Sequence, residues 1–167
     1  SRLVSVTRSD TDSQAGTGSL DLPRPYDLRG VPRLARYIKR ECQEGDVIHA
    51  HLFPTMLYAS LASRVTGWQG KLVCTEHSTS NRRRGTLRGQ LIDRVLYSRY
   101  DRVACISHGA RERLAAWLPG IAHRTLVVEN GAILAFTQVP IRGQTQRPII
   151  VSAGRLSRPK NYDTALK

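Results

Sequence analysis

The chain has little that would staple it or carry it through a membrane. Of 167 residues only three are cysteine, Cys42, Cys74 and Cys105, with no CxxC pair and no histidine at zinc-finger spacing. That excludes a disulfide framework and a structural zinc site. Cys74 and Cys105 sit in apolar runs, where a thiol behaves as a small hydrophobe, which suits a reducing compartment such as the cytoplasm. No apolar run reaches the roughly 18 residues a membrane span needs, and the first residues lack the basic-then-apolar pattern of a signal peptide. The expectation is a soluble chain or one lying on a membrane surface. Aromatic residues are scarce at 6% and are not interleaved with the arginines. A base-stacking surface needs that interleaving, so no nucleic-acid partner is expected.

Acidic residues are also few, 13 against 26 Lys and Arg, for a net charge of +13. The excess is unevenly placed. Residues 1–50 hold eight basic and seven acidic side chains, whereas residues 51–167 hold eighteen and six. Seven arginines lie between Asn81 and Arg102, three of them consecutive at Arg82, Arg83 and Arg84 before Gly85, against Asp93 and Asp101. Such a run attracts phosphate-rich partners or is a solvated basic loop.

Short apolar runs rich in β-branched residues alternate with longer amphipathic stretches. Leu3 to Val6 suggests a strand, and Gly16 to Pro25 a loop. Val31 to Glu44 has the helical period, Val47 to His51 is strand-like, and Pro54 to Val65 is apolar on nearly all sides, as a buried helix would be. Lys71 to Thr75, Arg102 to Ile106 and Arg124 to Glu129 are further strands. Leu87 to Tyr100 and Gly109 to Leu118 are helices, the latter stopped by Pro119-Gly120. Strands of four to six residues alternating with helices imply an α/β fold, a Rossmann-like parallel sheet flanked by helices. In such sheets ligands collect outside the carboxyl ends of the strands. The polar residues of this chain fall at those ends: His49 and His51, Glu76 and His77, Ser107 and His108, Asn130 and Gly131.

A second unit opens late. Residues 140–148 have linker composition, and Ile149 to Ala153 is a fresh strand leading through Gly154-Arg155 and Pro159-Lys160 to Asn161, which can cap a helix from Tyr162. A strand and half a helix cannot bury an apolar face, so the sequence is expected to be a truncated part of a longer one.

The ordered set His49-Ala50-His51-Leu52-Phe53, Thr75-Glu76-His77-Ser78, Ala104-Cys105-Ile106-Ser107, Val128-Glu129-Asn130-Gly131 with Phe136, and Gly154-Arg155-Leu156 with Lys160-Asn161 resembles the GT-B retaining glycosyltransferases of family 4, from about Asp46 to Lys167. The resemblance implies two Rossmann-like domains facing each other across a cleft. Residues 1–139 would be the acceptor-side N-terminal domain, lacking the first strand and glycine-rich loop with which the family usually begins. Residues 140–148 would be the linker and 149–167 the start of the nucleotide-sugar domain. The family's paired glutamates, eight positions apart, would lie beyond Lys167. Where the family often has Asp two residues after Asn-Gly, this chain has Ile133.

The implied activity is metal-independent hexosyl transfer with retention, from a nucleotide diphosphate sugar to a carbohydrate or lipid-linked acceptor, in polysaccharide or glycolipid synthesis. No cofactor is implied beyond the donor, and the fragment is expected to be inactive alone. Arg155 and Lys160 flank a turn into a helix N-terminus, where free N–H groups already favour an anion, and the resemblance assigns them to the donor diphosphate. The resemblance places His77 at the donor sugar, as the catalytic candidate; an imidazole can hydrogen-bond a hydroxyl near neutral pH. His51, Glu76, Ser107, Asn130 and Gly131 are candidates to line the cleft or acceptor side. Ser107 is also expected to cap the helix behind it, and Asn130-Gly131 to turn the chain out of the domain. His49 is expected to pack. His49 and His51 share a strand face but have no third metal ligand at a supporting spacing. The one carboxylate at another strand end, Glu129, is turned by alternation to the opposite side from Asn130, so Glu76 has no partner for hydrolysis. The basic run, with Arg82, Arg83 and Arg84, suggests a peripheral hold on an anionic inner membrane surface. Two other readings stay open, a nucleotide-sugar epimerase of the same fold and a basic polyanion or nucleic-acid binder.

Overall fold

In the computed structural model the described residues are 2–7, 17–77, 84–131 and 164. The chain divides into two compact units, Ser1–Gly131 and Ala132–Lys167. Arg82, Arg83, Ile133, Phe136, the linker 140–148, the strand 149–153, Arg155 and Lys160 lie outside the described residues.

In the first unit, β1 (Leu3–Ser5) pairs in parallel with β2 (Thr17–Ser19). The stretch from Gly16 to Pro25, expected as loop, therefore contains a strand. Its three residues are too few to show a period of two, and Gly18 weakens what pattern there is. The pairing carries on past β2, as the N–H groups of Leu20 and Leu22 donate to the carbonyls of Ser5 and Val6 at 2.9 and 3.1 Å. Both leucines are buried.

The larger sheet has four parallel strands in the order β3 (Val47–His51), β4 (Lys71–Glu76), β5 (Arg102–Cys105) and β6 (Thr125–Val127). Helices make the connections: α1 (Gly30–Glu41) before β3, then α2 (Thr55–Thr66), α3 (Leu87–Ser98) and α4 (His108–Trp117). The α/β fold with parallel sheets flanked by helices is thus the observed one. β5 and β6 are shorter than expected, although the N–H groups of Ile106 and Val128 still reach the carbonyls of Glu76 and Cys105. Pro119-Gly120 does stop α4, and a 3-10 turn over Pro119–Arg124 leads into β6.

Local chemistry explains the element ends. The hydroxyls of Thr86 and Ser107 accept the N–H groups of Gly89 and Ala110 at 3.0 and 3.2 Å, capping α3 and α4. Gly67 ends α2 at φ +66, a conformation glycine adopts without steric cost. Small residues Ala59, Ser60, Ala62 and Ser63 are all buried on α2 and allow close helix approach. Tyr58 lies against Gly30 of α1, and its hydroxyl donates to the Pro25 carbonyl at 2.7 Å. The centre of the core is Leu72 and Cys74 of β4, Val103 and Cys105 of β5, and Leu96, Tyr97, Tyr100 and Leu114 from the helical side, each 0–1% exposed. All three cysteines are free, and burial raises the pKa of the Cys74 and Cys105 thiols. Among the described residues no helix is long and apolar enough to cross a membrane.

Candidate functional site at the strand ends

Because β3 to β6 are parallel and adjacent, their carboxyl ends share one edge of the sheet. The register pairs His51 with Thr75, so β4 runs one residue further to Glu76 and His77 follows it. That offset brings two imidazoles together: His51 Nδ1 lies 3.3 Å from His77 Nε2. His49, two residues back on β3, has its ring centroid 4.2 Å from that of His51. Its Nε2 is 2.8 Å from Thr75 Oγ1. His49 is exposed rather than packed; among the described residues β3 pairs only with β4.

The pKa values of His49 and His51 lie below the usual 6.5, mainly because neighbouring protein displaces water and secondarily because the other imidazoles would repel a second charge. Both rings are therefore neutral at pH 7, each with one N–H donor and one lone-pair acceptor. Such a cluster can hydrogen-bond hydroxyl groups of either polarity without burying charge. Immediately after His51 the chain turns sharply: Leu52 has φ +62 and the Phe53-Pro54 bond is cis. The Leu52 carbonyl takes the N–H of Met56 at 3.0 Å, which begins α2.

Glu76 points elsewhere. Its Oε2 accepts the Tyr97 hydroxyl at 2.5 Å and Arg84 Nη2 at 3.0 Å, and both members of the ion pair are nearly closed off, with side chains 10% and 9% exposed. Burial and the Glu76 charge raise the Tyr97 pKa well above 10, so its hydroxyl stays protonated as the donor. The expectation that Glu76 lines a cleft is corrected: its carboxylate is buried and taken up by Tyr97 and Arg84. The expectation that Arg84 offers its charge to a membrane is corrected by the same pair. Neither partner was visible in the sequence. Tyr97 stands 21 residues from Glu76, and nothing local marks Arg84 as its partner.

Ser107 is half-buried, with its hydroxyl used as the cap of α4. Asn130 and Gly131 are exposed beyond β6 on the same edge. Neither joins the histidine cluster by a hydrogen bond among the described residues. Arg155 and Lys160 fall outside them. No group of three or more His, Cys, Asp or Glu that could hold a metal ion occurs among the described residues.

An open parallel α/β sheet with neutral polar side chains gathered at its carboxyl edge defines a Rossmann-like ligand-binding domain. The family described as Glycosyltransferase Family 4 matches residues 8–136, and the chain belongs to it. It is a glycosyltransferase domain, working between a sugar donor and an acceptor. No curated protein matches the chain at a significant level.

Proposed function

We propose that this domain belongs to a retaining, metal-independent enzyme that moves a hexose from a nucleotide diphosphate sugar to a carbohydrate or lipid-linked acceptor. The observation that carries the reading is the contact between His51 and His77 at the carboxyl ends of β3 and β4, inside the family match. In this reading His77 hydrogen-bonds a hydroxyl of the donor sugar. Arg155 and Lys160 neutralise the diphosphate as the glycosidic C–O bond breaks. The acceptor hydroxyl forms the new C–O bond on the same face, and its proton passes to the departing phosphate oxygen. Ser107, Asn130 and Gly131 border the acceptor side.

The test uses the full-length enzyme. His77→Ala should lower kcat/KM by about a hundredfold, as loss of one positioned polar contact to a reacting group does. Arg155→Ala with Lys160→Ala should weaken donor binding and turnover together. Donor affinity and turnover unchanged in the double variant would remove the reading.

The same enzyme is proposed to work at an anionic membrane surface. With Arg84 turned inward, the contact falls to Arg82, Arg83 and the outer face of α3. There Arg88 and Arg94 accompany exposed Leu87, Leu91, Ile92 and Val95, and no acidic side chain shares that face.

A further inference from the structure

Leu72, Cys74 and Glu76 alternate onto one face of β4, and Thr75 and His77 onto the other. Leu72 and Cys74 are fully buried, and Glu76 closes their row as a carboxylate among core side chains. Taking that charge out of water is costly, and an apolar side chain of similar volume fills such a place more cheaply. What the carboxylate adds is direction. An apolar group packs wherever it is covered, whereas Glu76 Oε2 is fixed by two donors from different parts of the chain, the Tyr97 hydroxyl at 2.5 Å and Arg84 Nη2 at 3.0 Å. Both donors are themselves held. Tyr97 is wholly buried on α3 beside the ring of Tyr100, and Arg84, nearly closed off, stands two residues ahead of Thr86, the cap of that helix.

The residue so fixed adjoins the candidate site. His77 follows Glu76 with its Cα about 3.8 Å away, on the opposite face of the strand. There β4 and β3 meet side chain to side chain: Thr75 Oγ1 with His49 Nε2 at 2.8 Å, and His77 Nε2 with His51 Nδ1 at 3.3 Å. The register of β4 with β5 ends at Glu76 opposite Cys105, and that with β3 ends at Thr75 opposite His51. His77 is thus one residue past the last paired position. The clamp on Glu76 restrains the strand end where the ladders stop.

We propose that Tyr97 and Arg84 are positioning residues for His77: by clamping Glu76 on the core face of β4 they hold the strand end where the His77 ring reaches both His51 and the donor sugar. This role rests on the reading of His77 as the contact to that sugar. A strand end released from the clamp carries the imidazole with it, and a misplacement of about 1 Å at a reacting group costs on the order of a hundredfold in rate.

The test uses the full-length enzyme and Tyr97→Phe, which keeps the buried ring and removes one bond to Glu76. kcat/KM should fall about tenfold. In a His77→Ala background the same substitution should have no further effect, because no imidazole is left to misplace. Arg84→Gln should behave alike, and Arg84→Lys, which keeps the charge, should recover most of the loss. Nitrogen-15 spectra of the imidazoles, recorded without any sugar, give a second readout: the His51 and His77 ring signals should move together in Tyr97→Phe while that of His123 stays. A loss of equal size with and without His77 would make the clamp a matter of general stability and overturn the proposal. Unmoved His51 and His77 signals would overturn it as well. Full turnover in His77→Ala alone would fall on the proposed reaction, and the ring spectra would then decide the clamp.

Discussion

A carboxylate and an imidazole adjacent in sequence, Glu76 and His77, take opposite parts in this domain. Glu76 is held inside by Tyr97 and Arg84, while His77 meets His51 at the site edge. Glu76→Ala strands a buried guanidinium and a buried phenol, so it should cost about 3 kcal/mol or more in chemical denaturation. Glu76→Gln, which keeps an acceptor oxygen, should cost less. The histidines set a pH dependence. In the unfolded chain His49 and His51 titrate near 6.5, and in the folded chain below it. Above pH 6.5 both states are neutral and stability is full. As pH falls from 6.5 toward the lowered folded values, the unfolded state binds protons that the folded state does not, so stability falls, and the loss levels off below those values. The urea midpoint should therefore drop between pH 7 and pH 5, and His49→Gln should remove its share of that drop.

At the scale of elements, helix starts and helix contacts give sharper tests than strand propensity. Ser107→Ala should destabilise the domain by about 1 kcal/mol, because the Ala110 N–H loses its acceptor, and Ser107→Gly by only a few tenths. Gly30 begins α1 against the ring of buried Tyr58, where an added Cβ would stand 2.5 Å from Tyr58 Cε2. The Tyr58 hydroxyl is tied to the Pro25 carbonyl, so the ring cannot simply swing away. Gly30→Ala should cost about 1 to 3 kcal/mol, seen as a lower thermal midpoint. Most elements were legible: the periodic runs became α1 to α4, and Ser107 capped a helix as its position suggested. β2 was not legible, because its three residues take their conformation from β1. His49 was misplaced for a related reason. Alternation shows that a residue lies on one face of a strand, but not how much of that face is covered.

For the molecule as a whole, the charge excess acts through the surface that the fold leaves outside. If Arg82, Arg83, Arg88 and Arg94 hold the enzyme to anionic lipid, co-sedimentation with vesicles should rise with anionic lipid content and fall with salt. Arg88→Glu with Arg94→Glu should abolish most of it, whereas Arg84→Ala should act through stability. Binding indifferent to lipid charge and to salt would leave the arginines as a solvated face.

The amino-acid sequence by itself determined the α/β class, the parallel run of strands and the polar residues at their carboxyl ends, because these follow from hydrophobic period, turn residues and capping within a few positions. Only the tertiary structure decided that Arg84 turns inward to Glu76 and that His51 and His77 meet. Those outcomes depend on contacts between segments far apart in the chain, whose geometry is set by how the sheet and its helices pack together.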